Sequence, residues 1–172
     1  GRLGPIRRDS ELKAYLLIFA ASTAAVAFSL YGTTCTTVGE ALRYASFQTA
    51  SIITTTGFAT ADFELWPLLG QVVLFTLMFV GGCAGSTGGG IKVMRLVILF
   101  KQAVNEMKLL LHPRGVFALK MSGSMVKKDI VYAVSGFFFL YAAVLLAVTV
   151  ITASAGHDIT TSFTAALTTL GN

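Results

Sequence analysis

Apolar residues dominate three stretches of the chain, Leu12–Tyr31, Pro67–Leu111 and Asp129–Ala153, and polar or small residues fill the segments between them. A membrane hydrocarbon core of about 30 Å takes about 20 helical residues. The first and third stretches have that length, and Tyr15 and Tyr31 fall near the ends of the first, where interfacial aromatics collect. As a single helix the second stretch would reach on the order of 65 Å, twice what a membrane needs. It is interrupted by Gly81, Gly82, Gly85, Gly88, Gly89 and Gly90, six glycines in ten residues. Each interior glycine costs a helix about 1 kcal/mol relative to alanine, so the tract predicts unwinding. Counted down from Pro67 at helical rise, it starts about 21 Å below the outer surface. Irregular backbone at that depth is tolerated only against protein or a water-filled cavity. Helix can resume from Ile91 to Lys108 before the break at Leu111–Gly115.

The segments between the spans carry a second pattern. Thr37-x-x-Glu40 fits a capping box that opens a helix from Val38 to Ile53. With Arg43 and Gln48 that helix is too polar for lipid and too short to cross and return, which predicts a re-entrant half-helix buried in protein. Its C-terminal end carries partial negative charge and favours a cation just beyond it. There lies Thr54-Thr55-Thr56-Gly57-Phe58, read as a short extended loop whose backbone carbonyls face that cation, with Gly57 supplying positive φ. Trp66-Pro67 marks an interface and the start of the next helix. After Asp129–Ala153, Asp158 can cap a second half-helix, Ile159–Leu167, that leads into Thr168-Thr169-Leu170-Gly171-Asn172. Val116–Lys128 is a basic connector with the composition of an interfacial helix. The order is span, half-helix, loop, broken span, connector, span, half-helix, loop. This is an internal repeat, with Gly57 and Gly171 in matching places. Residues 1–115 form one repeat and 116–172 a second without its closing helix. The chain begins without Met and ends inside a motif, so it is read as part of a longer protein.

Composition agrees: 55% of the 172 residues are hydrophobic and 12% charged, against about 25% charged in soluble domains. The net charge of +5 is not a nucleic-acid patch, because its distribution follows the spans. Arg2, Arg7, Arg8 and Lys13 precede the first. Lys92, Arg95, Lys101, Lys108, Arg114, Lys120, Lys127 and Lys128 lie between the glycine tract and the third, leaving only Arg43 elsewhere. Both groups read as cytoplasmic, and Glu40, Asp62, Glu64 and Asp158 as outward. Gly1–Ser10 shows no cleavable signal core. Cys35, near the outer surface, and Cys83, deep in an apolar helix, are at different depths and predict no disulfide. His112 and His157 have no ligand cluster, and no Ser-His-Asp or paired-carboxylate set stands out. Glu106, between Lys101 and Lys108, is expected to form an ion pair.

Other readings of the motifs compete. The glycine tract has the Gly85–Gly90 spacing of a phosphate loop, but Ile91 stands where Lys is required and Val93 follows Lys92. The spacing of Gly81 and Gly85 also fits close helix packing. An intramembrane enzyme would have to use Ser86, Thr87 or Lys92, and a non-conducting scaffold would use the small-residue faces.

Together SIITTTGFATADFELWP, GGCAGSTGGGIK and SFTAALTTLGN resemble the membrane subunits of the Trk/Ktr/HKT potassium-uptake superfamily, in particular the bacterial TrkH type. The resemblance covers the whole chain. It implies an all-α integral membrane fold of four helix–re-entrant pore loop–helix repeats around a central ion pore, of which this chain is the third and part of the fourth. It implies a transporter rather than an enzyme, multi-pass in the bacterial inner membrane. Its ion is potassium, with no organic cofactor and no other metal. The implied filter residues are Thr54, Thr55, Thr56 and Gly57 with Thr169, Leu170, Gly171 and Asn172. The implied gate is Gly81, Gly82, Gly85, Gly88, Gly89, Gly90 and Lys92. The implied partners are the lipid bilayer, a second copy as homodimer, and a cytosolic nucleotide-binding regulatory ring.

Overall fold

The computed structural model describes residues 9–112, 115, 119–121 and 124–171. Arg2, Arg7, Arg8, Arg114 and Asn172 of the preceding section lie outside them, as do Pro113, Ser122 and Gly123. The fold is mostly helical. In chain order it comprises α1 (Ser10–Leu30), α2 (Val38–Ile53), a 3-10 turn (Phe63–Leu65), α3 (Leu68–Leu77), α4 (Val93–Leu111), β1 (Lys120–Met121), β2 (Ser124–Met125), α5 (Lys128–Ser154) and α6 (Ile159–Gly171). Among the described residues α1 and α5 are long and apolar enough to cross a membrane, and α3 is a shorter apolar helix. The chain divides into two compact units, Tyr15–Lys92 with Leu167–Asn172, and Gly1–Ala14 with Val93–Ala166.

The first unit is built on α1, α2 and α3. Val26 and Leu30 of α1, Ala41, Ala45 and Ile53 of α2, and Leu74 and Leu77 of α3 share one buried core with Trp66. Between helices in lipid such contacts hold by close van der Waals packing rather than by transfer out of water. One polar link crosses the core: the Thr23 and Thr49 hydroxyls lie 2.8 Å apart, and Thr49 also donates to the Ala45 carbonyl at 2.7 Å. Trp66 is therefore a core residue here, not an outward aromatic anchor. The Gln71 side chain ties the approach to α3 by donating to the carbonyls of Glu64 at 2.7 Å and Trp66 at 2.8 Å.

The break after α3 comes earlier than the glycines. The N–H groups of Met78, Phe79 and Val80 reach carbonyls three residues back, at 3.2, 3.3 and 2.8 Å, a tightened last turn. Gly81 N–H then donates to the Ile91 carbonyl at 2.9 Å, and Ile91 N–H to Phe79 at 3.2 Å. These two bonds close a neck, and Gly82–Gly90 form the loop above it. Cys83 lies in this loop rather than in a helix, and both cysteines are free thiols. At the neck a Cβ on Gly81 would overlap the Gly89 carbonyl oxygen. Gly81→Ala is expected to lower stability by about 1–3 kcal/mol, the usual cost of overpacking. A thermal shift of the detergent-solubilised full-length protein measures this; an unchanged midpoint contradicts the closed neck.

In the second unit α4 packs on α5. Ile98, Leu119, Met121 and Val134 form its core, and the Arg95 guanidinium lies 3.8 Å from the centre of the Phe137 ring. The connector is not an interfacial helix over its described residues. β1 and β2 pair antiparallel, with Lys120 opposite Met125 and Met121 opposite Ser124, and the Lys101 ammonium donates to the Lys120 carbonyl at 2.8 Å. A helix over this stretch would have to absorb Gly123 at an interior position, which glycine disfavours. Glu106 accepts from the Gln102 amide at 2.6 Å instead of pairing with a lysine. His112 and His157 are exposed.

Asp158 caps α6 as the sequence predicts, its carboxylate accepting from Thr161 N–H at 3.0 Å. Hydrogen bonds from the Thr161 side chain and N–H hold its pKa below the ordinary 3.8. A lowered native pKa gives stability that is complete above 3.8 and fades as pH falls through the native value. Asp158→Ala should therefore speed amide exchange across Ile159–Thr161 at neutral pH, and the difference from wild type should vanish in strong acid. The helix then runs to Gly171, so Thr168–Gly171 are its last turn and not an extended loop. No residue after Gly156 takes positive φ among those described, and the modest helix penalties of Thr and Gly are overridden by continued backbone bonding.

Candidate functional site

Helix α2 has both ends fixed by side chains and backbone. At its start the Thr37 hydroxyl accepts from Glu40 N–H at 3.3 Å. At its end Thr55 N–H reaches the Ile52 carbonyl and Thr56 N–H the Ser51 carbonyl, each at 3.0 Å. This pair of bonds is a Schellman cap, whose next residue must be left-handed. Glycine normally fills that place; here it is Thr55, at φ 57°. A β-branched residue held there stores roughly 1–3 kcal/mol. Gly57 follows at φ 75°, as expected from the sequence. Thr55 is the residue that sequence reasoning placed in the loop without seeing its strain.

The hydroxyls of this loop turn back onto the helix end. Thr54 donates to Ala50 at 2.6 Å, Thr56 to the Ser51 carbonyl at 3.2 Å, and Ser51 to the Phe58 carbonyl at 2.6 Å. The carbonyl oxygens of Thr54, Thr55, Thr56 and Gly57 accept no hydrogen bond from the described residues. Four consecutive acceptors without a donor, next to the negative end of a helix, suit a cation.

A cavity of about 150 Å³ lies beside them, lined by Ser51, Ile52, Thr55, Gly57, Met78, Leu167, Thr168 and Gly171. It brings Gly57 and Gly171 to one space, with a Cβ on Gly171 reaching to 3.3 Å from the Met78 carbonyl. Thr54, Thr56, Thr169 and Leu170 do not line it. Thr168, read in the second loop but not among the filter residues, does line it, and so does Met78, for which the end of a broken helix gave no signal.

The glycine loop comes to the same place. Gly89 N–H donates to the Thr55 hydroxyl at 3.2 Å, and a Cβ on Gly88 would stand 3.2 Å from that oxygen and 3.4 Å from the Thr54 carbonyl. The Lys92 ammonium folds back over the loop, donating to the Ser86 carbonyl at 3.0 Å, the Ser86 hydroxyl at 3.3 Å, and the Gly88 carbonyl. Gly82 lies against Ser86, Gly90 against Gly81, and Gly85 faces open space. Gly81 and Gly85 are on no helix, so they form no helix-packing face. Ser86 has its hydroxyl committed to Cys83 O at 2.7 Å, and no cluster of three His, Cys, Asp or Glu exists among the described residues.

The family model described as TrkH, cation transport protein, matches residues 9–172. The Trk system potassium uptake protein TrkH of Vibrio parahaemolyticus is 45% identical over 133 residues, which are 77% of this chain and 27% of that protein. Its namesake in Halomonas elongata is 37% identical over 171 residues, 99% of this chain and 36% of that one. The crystal structure of the potassium transporter TrkH from Vibrio parahaemolyticus superimposes with a TM-score of 0.88 at 39% identity, covering 96% of this chain and 36% of that one. The chain thus spans about a third of the length of these relatives, which are transporters and not enzymes. With 96% of its length matched by that structure and residues 9–172 by the family model, the chain belongs to the TrkH family of cation transport proteins.

Proposed function

We propose that the full-length protein carries potassium ions into the cell through a pore whose filter includes the carbonyls of Thr54, Thr55, Thr56 and Gly57. The observation that carries this reading is the run of four unpartnered carbonyls at the C-terminal end of α2. In this reading α2 and α6 are re-entrant half-helices, and α1 and α5 are spans of a multi-pass inner-membrane protein. Thr169, Leu170, Gly171 and Asn172 supply the matching part of the filter. The cavity shared by Gly57 and Gly171 supports that pairing. The loop of Gly81, Gly82, Gly85, Gly88, Gly89 and Gly90, with Lys92, is the gate, supported by its contact with Thr54 and Thr55. A cytosolic nucleotide-binding ring moves it, and two copies of the protein assemble as a dimer.

The test is tracer flux through the full-length protein in liposomes. Rubidium or potassium uptake down a gradient is expected, with sodium uptake much slower. Absence of flux from well-folded protein, or equal flux of sodium, would overturn the reading.

A further inference from the structure

The Gly88 carbonyl and the Gly89 N–H belong to one peptide group. The carbonyl side accepts from the Lys92 ammonium, and the N–H side donates to the Thr55 hydroxyl at 3.2 Å. In a trans peptide these two groups point in opposite directions within one rigid plane, and no cis peptide is present among the described residues. We infer that Lys92 is a positioning residue that locks the Gly88–Gly89 peptide against Thr55, so that the glycine loop and the carbonyl loop change state together. This rests on the filter and gate reading above.

The physical case has three parts. A cation on a carbonyl polarises the peptide and makes its N–H a stronger donor, so the two bonds reinforce each other. Lys92 has three ammonium hydrogens and three oxygen partners, all in the loop Ser86–Gly88, so it fixes the loop's own shape. The plane is flanked by glycine on both sides. It can therefore rotate by changing ψ of Gly88 and φ of Gly89 with little steric cost, and that one rotation breaks both bonds. Thr55 is the only non-glycine residue with positive φ among those described. Losing the Gly89 donor removes one of the contacts that hold it there. The loop thereby acts on the backbone that presents the Thr54 and Thr55 carbonyls.

The experiment uses the full-length protein, with all cysteines replaced, reconstituted in liposomes without a cytosolic partner. Lys92→Met is expected to raise tracer flux roughly tenfold, the equilibrium effect of losing one charge-assisted hydrogen bond. Lys92→Cys should behave alike. After reconstitution, alkylation with 2-bromoethylamine restores an ammonium at nearly the lysine position and should return flux to the wild-type level, whereas iodoacetamide should not. Thr55→Val should raise flux as Lys92→Met does, and the double variant should add little, because both act through one peptide. Equal rescue by both reagents, or additive effects of the two substitutions, would overturn the latch. If Lys92→Met leaves flux unchanged while deletion of Gly88–Gly90 raises it, the latch fails and the gate stands. If neither changes flux, the gate itself fails.

Discussion

Deleting Gly88–Gly90 from the full-length protein is expected to raise potassium flux and to weaken control by the cytosolic partner. The deletion removes the Gly88 carbonyl that Lys92 holds and the Gly89 N–H that reaches Thr55. The neck at Gly81 and Ile91 is made by residues outside the deletion. Six residues can still close it, because loop closure depends only logarithmically on length. The contact proposed to block the pore is therefore lost while α3 keeps its ending. The measurement is tracer flux with and without the partner, normalised to folded protein by gel filtration. A well-folded deletion variant with wild-type flux would show that the loop blocks nothing. Low folded yield without excess flux would assign the glycines to structure alone.

Gly57→Ser is expected to lower the preference for potassium over sodium by roughly tenfold, since strain of about 1–3 kcal/mol at a left-handed residue can be relieved only by turning the backbone. No atom lies within 4 Å of a Cβ built on Gly57, so the effect is not steric crowding. It comes from φ, which is 75° and which serine disfavours. Relaxation toward negative φ swings the carbonyls on either side of residue 57 away from their present directions. Gly57→Asn is a useful contrast, because asparagine tolerates the left-handed region and should lose less selectivity. The readout is the ratio of potassium to sodium permeability in liposomes. Unchanged ratios in both variants would remove Gly57 from the selective part of the pore.

The half-helix α2 was legible in the sequence, start and end alike. Its limits are set by short-range chemistry: a threonine hydroxyl at one end, and a run where polar loop residues replace the apolar pattern at the other. Gly57 was legible for the same reason, since glycine reports a backbone need directly. Thr55 was not. A β-branched residue in the left-handed region contradicts its own propensity, and one partner that holds it, Gly89, is 34 positions away. The end of α3 at Leu77 was also hidden, because Met78, Phe79 and Val80 are as apolar as the helix before them and the first glycine comes later. Neither Thr nor Gly resists helix strongly enough to forecast whether Thr168–Gly171 leaves α6. The strand pair at Lys120–Met125 was obscured because two-residue strands are too short for any periodicity.

The neck between Phe79, Gly81 and Ile91 has a consequence for how the loop can vary. Its two ends are fastened to each other by backbone atoms alone, so no side chain outside the neck records how many residues lie between. The nine residues Gly82–Gly90 thus form a cassette. Doubling such a cassette costs only about 0.6 kcal/mol in closure entropy. Its length can drift by insertion or loss without shifting the register of either flanking helix. Ser86 and the Gly88–Gly89 peptide must keep their addresses, at fixed counts back from Lys92.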